Sequence, residues 1–247
     1  MEQSVEELVS NGDKFFQKEK LIDAIREYQK AFEIIGTKED DDTADLAYKL
    51  SQAYNALEGK NDQNSVKYAQ ISLDIHRKNN QKDLEVLDLI NLGYIELDAG
   101  KKEESEKYFN EALSIADSLK DPFLFCTTLN ALAEIKATSA KGKEEAVRIY
   151  ENVMKISEET QDWDNYFEAR RGLITIIREK QNEDEALKNA LDALDMIDRI
   201  AGGIKNKKER KEFRKSLSFM YDLASDIAME MENVDEAIKI AQRSNAE

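Results

Sequence analysis

The sequence predicts an all-α fold, a solenoid of about six antiparallel helix pairs. Three observations predict it. Composition favours helix nearly throughout: the 247 residues include one proline, Pro122, and nine glycines, and 36% are charged. Straight-chain residues such as Leu, Glu and Lys lose little rotamer freedom in a helix. Apolar residues recur at intervals of three and four, as in Leu21, Ala24, Ile25, Tyr28, Ala31, Phe32 and Ile35, which marks one face of a helix. The chain also resembles itself about every forty residues, the mark of stacked supersecondary units.

The repeat is clearest in segments of the form EAxxxYxxAL. These are DAIREYQKAF (23–32), NSVKYAQISL (64–73), ESEKYFNEAL (104–113), EAVRIYENVM (145–154), EALKNALDAL (185–194) and EAIKIAQRSN (236–245). Each has a small residue near its start: Ala24, Ser65, Ser105, Ala146, Ala186 and Ala237. Their spacings are 41, 40, 41, 40 and 51. A second small residue precedes each by 12 to 14 positions: Gly12, Ser51, Gly93, Ala133, Gly172 and Ser225. Between the two lies turn chemistry: EGKND at 58–62, DAGKK at 98–102, SAKGK at 139–143 and KQNED at 180–184. Each unit therefore reads as two helices joined by a short turn, touching where small residues let the backbones approach. Tyr28, Phe109 and Tyr150 are expected to fill the space between successive pairs. No pair can bury its apolar face alone, so stacking supplies the core.

These residues resemble the tetratricopeptide repeat (TPR), which places small residues at its eighth, twentieth and twenty-seventh positions and an aromatic at its twenty-fourth. Gly12, Ala24, Tyr28 and Ala31 match in the first repeat, and Leu92, Gly93, Phe109 and Ala112 in the third. The family's proline after the second helix is missing throughout. The period of about 40 resembles the longer-helix subgroup, which includes kinesin light chains and bacterial peptide-pheromone receptors. The resemblance implies a right-handed superhelical solenoid of about six TPR-like antiparallel helix pairs. Residues 1–203 form repeats 1–5, and 204–247 a sixth, extended pair continuing the same solenoid.

What the resemblance implies for function is a non-catalytic scaffold that binds a protein or peptide in its concave groove, or, alternatively, a peptide-pheromone-type receptor. In TPR solenoids the first helix of each pair lines that groove. The matching positions are Asp13 and Phe16; Tyr48, Gln52 and Asn55; Asn91, Tyr94 and Asp98; Asn130 and Glu134; Tyr166; and Asp222 and Asp226. Asn and Gln can bond both the N–H and the C=O of an extended peptide, and Tyr offers rigid area with a polar tip. TPR domains that clamp a chaperone's C-terminal carboxylate use Lys, Asn and Arg at set positions. Val9, Asp13, Lys49, Leu87 and Asn91 stand there instead, which argues against that ligand.

The last interval is about ten residues longer than the others. After Gly202–Gly203, expected to end a helix and turn the chain, comes IKNKKERKEFRK with Lys205, Lys207, Lys208, Arg210, Lys211, Arg214 and Lys215. This run reads as a solvated helix face docked on an acidic body. Arg210, Phe213, Tyr221, Ala237, Arg243 and Ser244 resemble the last repeat before the protease domain of TPR–CHAT proteins; Gln242 and Asn245 depart from that pattern. The second resemblance implies a regulatory arm of a caspase-like cysteine protease, with an effector domain following Glu247. The end AQRSNAE stops in mid-helix without a polar capping helix, which fits a covering domain.

Charge and residue counts narrow the chemistry. The net charge is −16, and residues 201–247 are neutral, so the first 200 residues hold the whole excess. Such a body repels phosphate backbones and anionic lipid heads. The expected partner is a protein or peptide with basic residues, not nucleic acid or membrane. A single cysteine, Cys126, allows no intrachain disulfide and fits a reducing cytoplasm. The N-terminus has no signal-peptide pattern. Cys126 in PFLFCTTL reads as a core thiol. His76 near the end of a second helix reads as a surface or capping residue suited to the helix dipole. EDDD at 39–42 reads as a solvated loop, lacking the order of a calcium loop. Trp163 and most tyrosines read as core. No P-loop, GxGxxG after a strand, or GxSxG is present. Neither enzyme activity nor a metal or cofactor is predicted.

Overall fold

The computed structural model describes residues 3–36, 38–58 and 63–244, and within them the chain forms thirteen helices. They are α1 (Val5–Phe16), α2 (Leu21–Ile35), α3 (Asp41–Glu58), α4 (Gln63–Lys78), α5 (Lys82–Asp98), α6 (Lys102–Leu119), α7 (Pro122–Ala137), α8 (Lys143–Thr160), α9 (Trp163–Glu179), α10 (Glu183–Gly203), α11 (Lys207–Ser216), α12 (Ser218–Glu230) and α13 (Val234–Ser244). Helices α1 to α10 fall where the ten helices of the first five pairs are predicted. In the sixth the first helix is broken at Leu217 into α11 and α12. The extra residues of the long interval are thus a helix of their own. The turn read at 58–62 lies, from residue 59 onward, outside the described residues, as do Asn245 and the last two positions of AQRSNAE.

Helix ends follow local chemistry. Ser4 and Glu7 form a reciprocal capping box on α1. The Asp121 carboxylate accepts from the N–H groups of Phe123 and Leu124, with Pro122 at the first helical position, where no N–H is needed. Asp40 caps α3 by accepting from Thr43, and these bonds hold its carboxyl below the usual range. The EDDD segment is thus part loop and part helix start: Glu39 and Asp40 precede α3, as expected, but Asp41 and Asp42 lie in its first turn, where the dipole favours anions. Five of the described turns share one shape. A residue with positive φ (Glu19, Asn80, Gly100, Gln161 or Glu232) is followed by an N–H that reaches back to close the preceding helix. Examples are Gln81 to the His76 carbonyl at 2.9 Å and Lys101 to that of Glu96 at 2.8 Å. Gly202 and Gly203 end α10 as expected, but both are helical; the chain turns at Ile204, which is extended.

Packing divides the chain into two compact units, Met1–Ile135 and Lys136–Glu247. In the first, α1 through α5 each pack on the next helix in order. One apolar cluster gathers Leu8, Ile25, Tyr28, Leu46, Leu50 and Tyr68; a second gathers Leu73, Leu89, Leu92, Phe109, Leu124 and Leu132. In the second unit a single cluster joins Phe167, Ile174, Leu194, Ile197, Met220 and Tyr221, so the fifth and sixth pairs share one core. Burying each large apolar side chain contributes about 1.5–3 kcal/mol. Cys126 is fully buried and Trp163 packs against the second unit's core, as expected of both.

At three helix contacts an aromatic ring lies directly on a glycine. A Cβ placed on Gly12 would stand 2.4 Å from Tyr28 Cε1, one on Gly93 2.3 Å from Phe109 Cε1, and one on Gly172 2.2 Å from Tyr150 Cζ. Tyr28 and Phe109 therefore seat on the glycine of their own pair, and only Tyr150 on that of the following pair. This corrects the expectation that all three fill the gaps between pairs. Phe109 has no exposed surface and cannot swing aside. Gly93→Ala should destabilise the protein by about 1–3 kcal/mol, the cost of overpacking, and adding Phe109→Leu should return part of it. Urea unfolding of the three variants measures this; an unchanged midpoint for Gly93→Ala would show that no ring limits the approach.

Candidate functional site

In the first unit the first helices of successive pairs are linked by polar side chains about one repeat apart. Lys49 Nζ on α3 bonds Asp13 Oδ1 on α1 at 2.8 Å, and Tyr28 OH donates to the same oxygen at 2.7 Å. Asn55 Nδ2 on α3 donates to Asp98 Oδ2 at the end of α5 at 2.8 Å. Asn91 Nδ2 on α5 donates to Ser51 Oγ on α3 at 2.9 Å. Tyr94 OH on α5 donates to Glu134 Oε2 on α7 at 3.1 Å. Each such bond contributes about 0.5–1.5 kcal/mol. Together they fix the rotamers of a strip of amide, phenol and carboxylate groups before any ligand arrives.

The predicted groove residues divide accordingly. Asn55, Tyr94 and Glu134 are brought together by this strip, with Asp98, and stay at least partly exposed; Gln52 and Asn130 are partly exposed on the same helices, α3 and α7. Asn55 Oδ1 has no hydrogen-bond partner among the described residues. Asn91 is only 9% exposed and is spent on Ser51. Phe16 packs against the first unit's core. Tyr166, 7% exposed, packs edge-on to Trp163 and Phe167 within the second unit's core and leaves no face for a ligand. Asp222 and Asp226 are exposed on α12.

Tyr48 belongs to a different constellation. Burial, with the nearby Asp88 carboxylate, pushes its phenol up to about 12. Asp88, 1% exposed, accepts or shares a proton with His76 Nδ1 at 2.6 Å, and His76 is itself 3% exposed. His76 is therefore a core residue, which corrects its reading as a surface or capping group. Burial raises the Asp88 carboxyl above its ordinary range, against the opposing bond from His76. The pair spans the α4–α5 turn. Its signal in the sequence is an Asp inside the apolar run Val86–Ile90 and a His placed seven residues after buried Ala69.

At the chain's other end, Asp198 on α10 gathers Arg214 of α11 and Arg243 of α13; Arg243 also reaches Asp195, and Arg214 Nη1 donates to Tyr221 OH at 3.2 Å. The predicted basic face thus docks through Arg214, while Lys205, Lys208, Lys211 and Lys215 stay exposed. Among the described residues no group of three or more His, Cys, Asp or Glu is placed to hold a metal ion, and no helix is long and apolar enough to cross a membrane.

No protein-family model matches this sequence, and no curated protein does. Solved structures match the fold. The Rap protein complexed with Competence and Sporulation Factor is 20% identical over 97% of this chain and 73% of that one, with a TM-score of 0.62. NprR in complex with its cognate peptide NprX is 16% identical over 98% and 66%, at 0.67. A STAND ATPase with a tetratricopeptide-repeat sensor from Pyrococcus horikoshii is 20% identical over 97% of this chain, which spans only 35% of it, at 0.62. The chain has the all-α fold of tetratricopeptide-repeat solenoids.

Two outcomes follow from the buried groups. His76→Ala leaves the Asp88 carboxyl buried without its partner and should cost about 3–5 kcal/mol, whereas His76→Leu with Asp88→Leu should recover most of that; a near-neutral single variant in chemical denaturation would contradict the pairing. Tyr28, Tyr48, Tyr68, Tyr108 and Tyr221 are all raised above 10.0, chiefly by burial. A raised folded value means that stability is full below the unfolded value and is lost as pH climbs through the folded one. Unfolding free energy should therefore fall above about pH 10, with tyrosinate absorbance rising together with loss of helix. Ionisation of these five at pH 10 in a fully helical protein would contradict it.

Proposed function

We propose that this chain is a non-catalytic scaffold that binds a protein or peptide along its first-helix face, with a partner rich in Lys or Arg. The observation that carries the reading is the fixed polar strip of Asn55, Asp98, Tyr94 and Glu134. A helical surface built only to solvate itself has no need of side chains locked between neighbouring repeats. Preorganised groups lose less entropy when a partner docks. The acidic balance of the first 200 residues supports a cationic partner over nucleic acid or membrane, and a cytoplasmic setting accords with the lone buried thiol. In this reading residues 1–203 supply repeats 1–5, and 204–247 extend the array through the shared core.

A receptor for a short peptide of the pheromone type is the second reading. It is favoured by the Rap and NprR structures, both of which hold their factor or peptide. The reading as a protease's regulatory arm gains no separate support from Arg214, Tyr221 and Arg243, because the Asp198 network uses all three.

Peptides selected from a randomised display library against the whole chain test the proposal. Asn55→Ala combined with Glu134→Lys should weaken the selected peptides by about tenfold or more, at a cost to folding stability of only about 1–3 kcal/mol from the two lost inter-repeat bonds. Equal binding to variant and parent would place the partner elsewhere.

A further inference from the structure

The first unit carries a cleft of about 670 Å³ between α1, the end of α2 and the start of α3, within the size range of ligand sites. Its apolar lining is formed by Val5 and Val9 of α1, Ile34 of α2 and Leu46 of α3. Leu46 is nearly inaccessible, whereas Ile34 is 59% exposed and offers apolar surface to the cleft. Glu6, Asp42 and Asp45 stand around it with Lys38. Lys49 also borders the cleft, but its charge is matched by Asp13 at 2.8 Å. Carboxylates therefore outnumber the remaining cation, and no ion pair holds Glu6, Asp42 or Asp45 among the described residues.

We propose that this cleft is the anchor subsite of the scaffold and takes an aliphatic side chain lying next to a lysine or arginine of the bound segment. The inference rests on the binding reading above and names the chemistry of the partner. An alkyl group entering between Val9, Ile34 and Leu46 removes apolar surface from water on both sides. A cation beside it meets Glu6, Asp42 and Asp45 at the rim, where it is favoured and weakened by salt. An acidic segment or a free carboxylate would face the same three anions, so the rim rejects it. Of the two sides of the cleft, α1 contributes the i, i+4 pair Val5 and Val9, and α3 supplies Asp42 and Asp45 one turn apart. The apolar and acidic groups thus line one cleft.

Labelled peptides from the randomised display selection against the whole chain provide the test. Enriched sequences should place Leu, Ile or Val next to Lys or Arg. Ser10→Trp, which fills the cleft from an exposed position, and Asp45→Lys, which reverses its rim, should each weaken them by about tenfold or more, with melting temperatures unchanged. Enriched peptides without that pairing, or binding indifferent to Ser10→Trp, would overturn the anchor subsite. If those same peptides are still weakened by Glu134→Lys, the binding reading survives its loss. Selected peptides indifferent to both the cleft and the strip variants would overturn the two together.

Discussion

The distance between neighbouring helices is limited here by rings that rest on glycine. Where Gly93 faces Phe109 or Gly12 faces Tyr28, the backbone comes as near as an aromatic ring allows and a methyl group would already collide. Such contacts remove water from both surfaces and leave each helix one rotational setting relative to its neighbour. That setting decides which residues turn inward and which look out along the first helices. A helix rotates about 100° per residue, so loosening the glycine contact by even a small rotation would turn Tyr94 away from Glu134.

The polar strip depends on that setting. Its donors and acceptors lie on helices one repeat apart, so they meet only if every intervening pair keeps the same thickness. Asn55 with Asp98 and Tyr94 with Glu134 are separated by 43 and 40 residues and still come within hydrogen-bonding distance. The repeat thus does more than fill the core. It carries chemically chosen side chains to a common line, and the rim of carboxylates around the α1–α3 cleft lies on the same first helices. The buried His76–Asp88 pair adds a polar contact inside the core between α4 and α5, where an unpaired partner would be costly and other arrangements are disfavoured.

The helix pairs were legible in the sequence because small residues recur at a fixed period, and period survives even where single repeats are degenerate. Which polar side chains of the first helices stay exposed was legible only in part. Helix α5 is buried on most of its sides, from Glu85 and Val86 through Glu96, so a polar residue within it does not mark a surface; Asn91 turns to Ser51 although its residue type suits a groove. Tyr166 adjoins Phe167, and a shift of one position changes its face. His76 suits the C-terminal dipole of α4 by type, and nothing in its immediate neighbours distinguishes capping from burial. Its partner Asp88 lies 12 residues away across a turn, beyond the reach of helical periodicity. That Gln52, Asn55, Tyr94, Asn130 and Glu134 keep exposed surface on their helices was readable, because neighbours such as Ala53 and Ala133 are small and buried and mark the core face.

Partner binding is proposed for the first-helix face of the first unit. Backbone amide chemical shifts of the whole chain, recorded with and without a selected peptide, test it most directly. Perturbations are expected on α1, α3, α5 and α7, at residues 5–13, 42–55, 94–98 and 130–134. Perturbations confined to the second helices α2, α4 and α6 would contradict it, since the fixed strip and the acidic rim would then play no part in recognition.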